Sequence, residues 1–225
     1  MAVLGFAAGL LISSITASVA EAATGYRPSS GGPLPVAVTV ANLVGLWAGL
    51  VGAALWWSRT RGGASLAEDF GYRVAAWWDI PAGAALGLAA QYALVGLYKP
   101  FEHLDHNLTR QLGQPTQRTV GAAHTTVTAA VLLLFLAVGA PLVEELFFRG
   151  LLLRSLARWT NPVVAVVGSG VLFGLAHFEA LQFAGLALFG VLLGALAWRL
   201  GRLGPSVAAH MSFNAVAVLT TVHLH

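Results

Sequence analysis

The chain has 225 residues, of which 57% are hydrophobic and 9% charged, with a formal net charge of +3 and a mean hydropathy of +0.77. A soluble domain carries about 25% charged residues, so this chain cannot cover its surface with polar side chains and its solvent must be lipid. The absence of cysteine excludes disulfides and thiolate metal sites. The basic balance is arginine at span ends, with Lys99 the only lysine, which sets orientation in a bilayer and gives no reason to expect a nucleic-acid partner.

Residues 2–20 form the first apolar run. The small residues from Ala17 to Ala23 resemble a signal-peptide cleavage site, but no positive charge precedes the run and it is long for such a segment, so it predicts a retained span. A Pro/Gly/Ser-rich loop follows over 21–35. The second span runs from Pro35 to Trp57, closing on a Trp56-Trp57 pair suited to the headgroup belt. A polar connection over 58–76 leads to Trp77-Trp78 and a third span ending near Tyr98, and 99–122 is the longest polar stretch. From Thr125 to Trp159 the chain is apolar apart from one polar cluster. At about 1.5 Å per residue this stretch would be roughly 50 Å long, which predicts either one long helix kinked at Pro141 or a tight helix pair. Further spans follow over 163–181, 183–200 and 204–222.

The expectation is an all-α polytopic transmembrane bundle of seven or eight spans around an intramembrane polar cavity, forming one domain over 1–225. Seven spans with the N-terminus in the cytoplasm place Arg59, Arg61, Arg73, Arg154, Arg158, Arg199 and Arg202 inside and Arg27, Lys99, Arg110 and Arg118 outside. Eight spans with the N-terminus outside also satisfy the positive-inside bias. Gly45/Gly49, Gly83/Gly87, Gly170/Gly174 and Gly190/Gly194 are spaced for close helix contact. The Ala, Gly and Arg bias points to a GC-rich bacterial genome, hence to an integral protein of a bacterial cytoplasmic membrane.

Three polar clusters interrupt the apolar second half: Glu144-Glu145-x-x-x-Arg149, Phe173-x-x-x-His177 and His210-x-x-x-Asn214. Left charged and unpaired in lipid, the first cluster alone would cost about 7–10 kcal/mol. Glu145 and Arg149 share a helix face in the favourable order for an ion pair. Glu144 is rotated by about 100° and has no local partner. Glu145 with Arg149 therefore reads as a neutralised structural pair, while Glu144 is free to act on a water, because an apolar surround makes a carboxylate a stronger base. His177 lies one turn from Phe173, and Asn214 one turn from His210. Two chemistries fit the set. In one, Glu144 and His177 deprotonate a water while His210 and Asn214 donate to a tetrahedral oxyanion. In the other, Glu144, His177 and His210 hold a catalytic zinc with an open position for water. The cofactor is thus zinc or none.

With these motifs in this order, the chain resembles the CPBP family of intramembrane endopeptidases, which includes the type II CAAX prenyl proteases and the bacteriocin-processing, or Abi, proteins. The resemblance covers residues 125–222. It implies that Glu144 and His177 activate water, that His210 and Asn214 form the oxyanion hole, and that Glu145, Arg149 and Phe173 support them. It also implies hydrolysis of a peptide or small membrane-protein substrate within the bilayer, by a glutamate alone or with a metal.

Rival signatures are missing: there is no H-E-x-x-H zinc helix, no Gly-x-Gly-Asp aspartyl motif, and Val167 stands where a rhomboid-type serine motif needs glycine before Ser169. Ser169 therefore reads as a small packing residue, and His103, His106, His124, His223 and His225 as solvated. Two other classes fit the same polar groups: a non-catalytic membrane scaffold or regulator, and a carrier using glutamate and histidine as a proton relay.

Overall fold

The computed structural model describes residues 1–28 and 32–222, and every regular element among them is helical. His223 and His225 lie outside the described residues. The elements are α1 (Ala2–Thr24), α2 (Val36–Arg61), short α3 (Leu66–Phe70) and α4 (Asp79–Tyr98), which runs into a 3₁₀ turn at Lys99–His103. They are followed by α5 (Leu108–Val120), α6 (Thr126–Ala157), α7 (Pro162–Leu175), α8 (Phe183–Leu200) and α9 (Gly204–Val222).

Among the described residues five helices are long and apolar enough to cross a membrane: α1, α2, α4 with its 3₁₀ extension, α6 and α8. The chain is an integral membrane protein, but the expected count of seven or eight spans is not reached by this measure. Helix α7 has only 14 residues, and α9 has the length but carries Ser206, His210, Ser212 and Asn214, which lower its hydropathy.

Small residues bring the helices together, as lipid-solvated interfaces require. Gly5 and Gly9 of α1 face Gly49 of α2, where a Cβ on Gly49 would stand 2.6 Å from the Gly5 carbonyl oxygen. Gly83 and Gly87 of α4 lie against Pro205 and Ala209 of α9, and Gly170 of α7 against Gly190 and Val191 of α8. The four paired-glycine spacings named above therefore sit at helix contacts, as does the pair Gly5/Gly9.

The bundle has two chemically different ends. At one, Arg202 grips the buried Asp79 with two bonds (2.9 and 2.8 Å), the Leu203 N–H donates to Gly71 (2.8 Å), and Arg158 lies over Trp57 (5.0 Å). This end gathers Arg59, Arg61, Arg73, Arg154, Arg158, Arg199 and Arg202. The other end is tied by Leu34 N–H to Arg118 carbonyl (2.8 Å) and by Gln182 to the Leu112 carbonyl (2.6 Å). Helix α5 lies there with Leu108, Leu112, Pro115 and Thr119 turned inward and Arg110, Gln114 and Arg118 exposed.

The apolar stretch after Thr125 is one continuous helix, α6, of 32 residues. Two π-helical segments, Leu134–Gly139 and Leu146–Leu152, flank the α-helical turn Ala140–Glu145. Pro141 has no N–H to give and its ring crowds the preceding turn, so the wider π segment before it takes up a fault that would otherwise break the helix. Carbonyls left short of partners in lipid must be answered by other groups. Asn214 donates to Leu136 (3.0 Å), the Tyr72 hydroxyl to Leu142 (3.2 Å) and the Ser169 hydroxyl to Phe148 (3.0 Å).

Gly49→Leu forces a side chain into the α1 backbone, and overpacking of this kind costs about 1–3 kcal/mol. Thermal unfolding in detergent is expected to show a lowered Tm for Gly49→Leu and an unchanged one for Gly52→Leu, since Gly52 has nothing within 4 Å of its missing Cβ.

Candidate active site

Glu144 and Glu145 close the α-helical turn of α6, and Arg149 follows in the second π segment. Glu145 and Arg149 are fully buried and joined at 2.6 Å between Oε1 and NH1, the pair expected from their spacing. The other terminal nitrogen of Arg149 donates to the Gly190 carbonyl of α8 (3.0 Å), and its guanidinium stacks over the Phe173 ring at 4.4 Å. A charge with no exposed surface persists only when paired and hydrogen-bonded, and these three contacts supply that.

His210 of α9 enters between the two glutamates. Its Nδ1 is 3.0 Å from Glu145 Oε1, close enough to donate, and its Nε2 stands 3.8 Å from Glu144 Oε2. His210 is buried, whereas the Glu144 side chain keeps 15% of its surface exposed and has no arginine partner. The two adjacent carboxylates therefore differ as their spacing suggests: one is committed to an arginine and a histidine, the other keeps part of its surface open. The contact from His210 to Glu145 is not legible from the sequence, since 65 residues separate them.

Phe173 is the hub between the histidines. Its ring meets His177 edge-on at 4.7 Å and His210 at 5.5 Å, and Phe189 closes the other side of His210 at 5.6 Å. His177 follows the end of α7, where its Nδ1 donates to the Phe173 carbonyl (2.8 Å), leaving Nε2 as the free acceptor. The next residue, Phe178, adopts the left-handed conformation at φ 55°, which is rare for a bulky side chain and turns the chain sharply after His177.

The structure thus brings together Glu144, Glu145, Arg149, Phe173 and His210. His177 joins them through the Phe173 ring and reaches neither glutamate within ion-pair distance. Asn214 lies one turn beyond His210 and spends one amide hydrogen on the Leu136 carbonyl. The zinc set Glu144, His177 and His210 is not assembled: among the described residues no three histidine, aspartate or glutamate side chains come together as a metal-holding group. Two residues outside the expected set bear on the site. Ser169 does more than pack, because its buried hydroxyl answers the Phe148 carbonyl. Tyr72 reaches the turn carrying the glutamates from a polar connection, where no local motif marks it.

The family model described as "Type II CAAX prenyl endopeptidase Rce1-like" matches residues 126–216, the region from α6 into α9 that holds all of these side chains except Tyr72. This part of the chain is similar to the CPBP, or CAAX protease, family. Comparison with curated proteins and with solved structures gives no match. That similarity supports a protease function at the membrane in general terms.

Arg149→Ala strands the Glu145 carboxylate in an apolar interior, and breaking a buried pair from one side costs about 3–5 kcal/mol. The variant is expected to unfold well below the wild-type Tm in detergent. Arg149→Lys keeps the charge but not the planar fork, so its Tm is expected between the two.

Proposed function

We propose that the chain is an intramembrane endopeptidase in which Glu144 is the general base. The observation that carries this is the split between the two glutamates: Glu145 is neutralised by Arg149 and engaged by His210, while Glu144 has no arginine and retains an open face. Glu144 takes a proton from a water whose remaining orientation is set by the free Nε2 of His177, and the water oxygen attacks the substrate carbonyl carbon. The oxyanion that forms is met by His210, which takes its second proton from solvent before the substrate binds and so presents Nε2–H throughout the step, and by the Asn214 amide hydrogen not spent on Leu136. Collapse of the intermediate breaks the C–N bond, and Glu144 returns its proton to the leaving amine.

Glu145 acts at one remove. By accepting from His210 Nδ1 it fixes the ring so that Nε2 points to Glu144. The substrate is a membrane-associated peptide or small membrane protein, entering a site buried among apolar helices. The matched family acts on prenylated CAAX ends, so both a prenylated and an unmodified membrane peptide belong in the assay. A bacterial cytoplasmic membrane is the setting that the composition favours.

Glu144→Gln keeps the size of the side chain and removes the base. In a cleavage assay with peptides reconstituted in detergent, the variant is expected to lose about 10²–10⁴-fold in kcat with an unchanged Tm. Asn214→Ala is expected to lose less, at most about 10²–10³-fold, as removal of one oxyanion donor does. Full turnover by a folded Glu144→Gln protein would sink the assignment. A parallel series with chelator separates a metal-assisted reaction from the bare carboxylate, and absence of turnover by the wild type on every peptide would favour the scaffold reading.

A further inference from the structure

Two cavities flank the site, and they differ in kind. One, about 360 Å³, is a groove between α1 and α7 lined by side chains such as Ala7, Leu10, Phe147, Phe148, Leu175 and Phe178, with almost no polar surface. The Phe148 ring packs edge-on against Phe173 at 5.3 Å, so one aromatic layer separates this dry groove from the histidines. The other, about 120 Å³, lies at the arginine-rich end between α6 and the turn from α8 to α9, lined by Arg149, Leu153, Arg154, Ala197, Trp198 and Leu203 among others.

Arg149 is both a wall of the smaller cavity and the partner of Glu145. Two buried polar atoms of this pair, Arg149 Nε and Glu145 Oε2, have no hydrogen-bond partner among the described residues. Orphaned buried polar atoms in a native protein are as a rule answered by ordered water, which needs polar partners and room. The cavity supplies both, with two guanidinium groups in its wall and about 120 Å³ of space, room for several waters. Arg154 adds a partly buried guanidinium that makes no hydrogen bond or ion pair to a described protein group. Hydrolysis consumes one water per turnover, and the apolar groove offers no polar route for it.

We propose that the cavity bounded by Arg149, Arg154, Ala197 and Leu203 is a water chamber, hydrated from the arginine-rich end, that supplies the buried carboxylates past Arg149. Its hydration stands on the geometry alone, while the supply of hydrolytic water rests on the endopeptidase reading above. The arginines give it a positive wall, so it admits water and small anions and rejects cations.

The chain has no cysteine, so a single introduced thiol reports its surroundings without background. Ala197→Cys places one in the chamber wall and Ala7→Cys one in the dry groove. Each protein, in detergent so that both ends are reachable, is treated with a membrane-impermeant anionic thiosulfonate and with a neutral permeant maleimide. The anionic reagent is expected to modify Ala197→Cys at least about tenfold faster than Ala7→Cys, because only the hydrated, arginine-flanked thiol ionises readily, and the maleimide to modify both. Equal or slower modification of Ala197→Cys by the anionic reagent overturns the proposal. Leu153→Cys, on the α6 wall, carries the same comparison if Ala197→Cys fails to fold. Ala197→Phe fills the chamber and is expected to lower kcat about tenfold with KM unchanged, the signature of a step after binding; an unchanged kcat removes the supply role. Absence of turnover by the unsubstituted protein overturns that role together with the endopeptidase reading, whereas hydration is decided by the labelling alone.

Discussion

A guanidinium with no exposed surface stays charged in an apolar interior only when its donors are answered, and the arrangement around Arg149 follows from that demand. One terminal nitrogen holds Glu145 and the other the Gly190 carbonyl, while Phe173 covers the face. Each of these partners then constrains something else. The Gly190 contact sets α8 against α6 where Gly170 lets α7 approach. Phe173, held under the cation, fixes both imidazoles by their edges. Glu145, once neutralised, is still able to accept from His210, and so turns the second nitrogen of that ring towards Glu144. A buried ion pair is weak evidence for stability, since apolar replacements are often as stable. Its value here is positional: it relates three helices to one carboxylate that is left unpaired.

The same rule, that lipid answers no backbone group, explains the irregular helix that carries the glutamates. A straight α6 would be broken at Pro141. The π segments keep it continuous but leave carbonyls needing donors, which come from three different elements: Tyr72 after α3, Ser169 on α7 and Asn214 on α9. Each donor pins its own element to the glutamate-bearing stretch of α6. For Asn214 this means that one amide hydrogen is structural and the other is directed by it, so the residue is held still without being used up.

The sequence made the polar clusters legible because ionisable groups in apolar spans are costly and stand out against their surroundings. The Glu145–Arg149 pair follows from their four-residue spacing alone, and helix limits such as 183–200 and 204–222 follow from where apolar runs stop. The partner of His210 could not be read, because nothing local relates residue 210 to residue 145 and the opposite role, oxyanion donor, was equally consistent with its position. The π segments were also hidden: Pro141 inside an apolar run signals a fault, but a kink, a break and a π-turn share that signal. Tyr72 lay in a polar connection where hydroxyls are ordinary. The span count stays unconfirmed for a related reason, since the polar residues of α9 that carry the third motif are the ones that lower its hydropathy.

The short length of α7 is the last constraint that function imposes on the fold. Fourteen residues rise about 21 Å, less than the roughly 30 Å hydrocarbon core. Set with its N-terminus at one face of the bilayer, so short a helix leaves His177 and the turn that follows it at membrane depth instead of beyond it. Non-helical backbone is tolerated there only where protein surrounds it, and the surroundings are specific. The Tyr98 hydroxyl donates to the Leu181 carbonyl (3.2 Å) and accepts from the Gly185 N–H (3.0 Å), while Gln182 donates to the Leu112 carbonyl of α5 (2.6 Å). The polar stretch 99–122, which as sequence is only a long loop, thus contributes the amphipathic helix α5 as a cover for the turn that places His177. A longer α7 would need no cover, but would carry its histidine out of reach of the Phe173 ring and the buried glutamates.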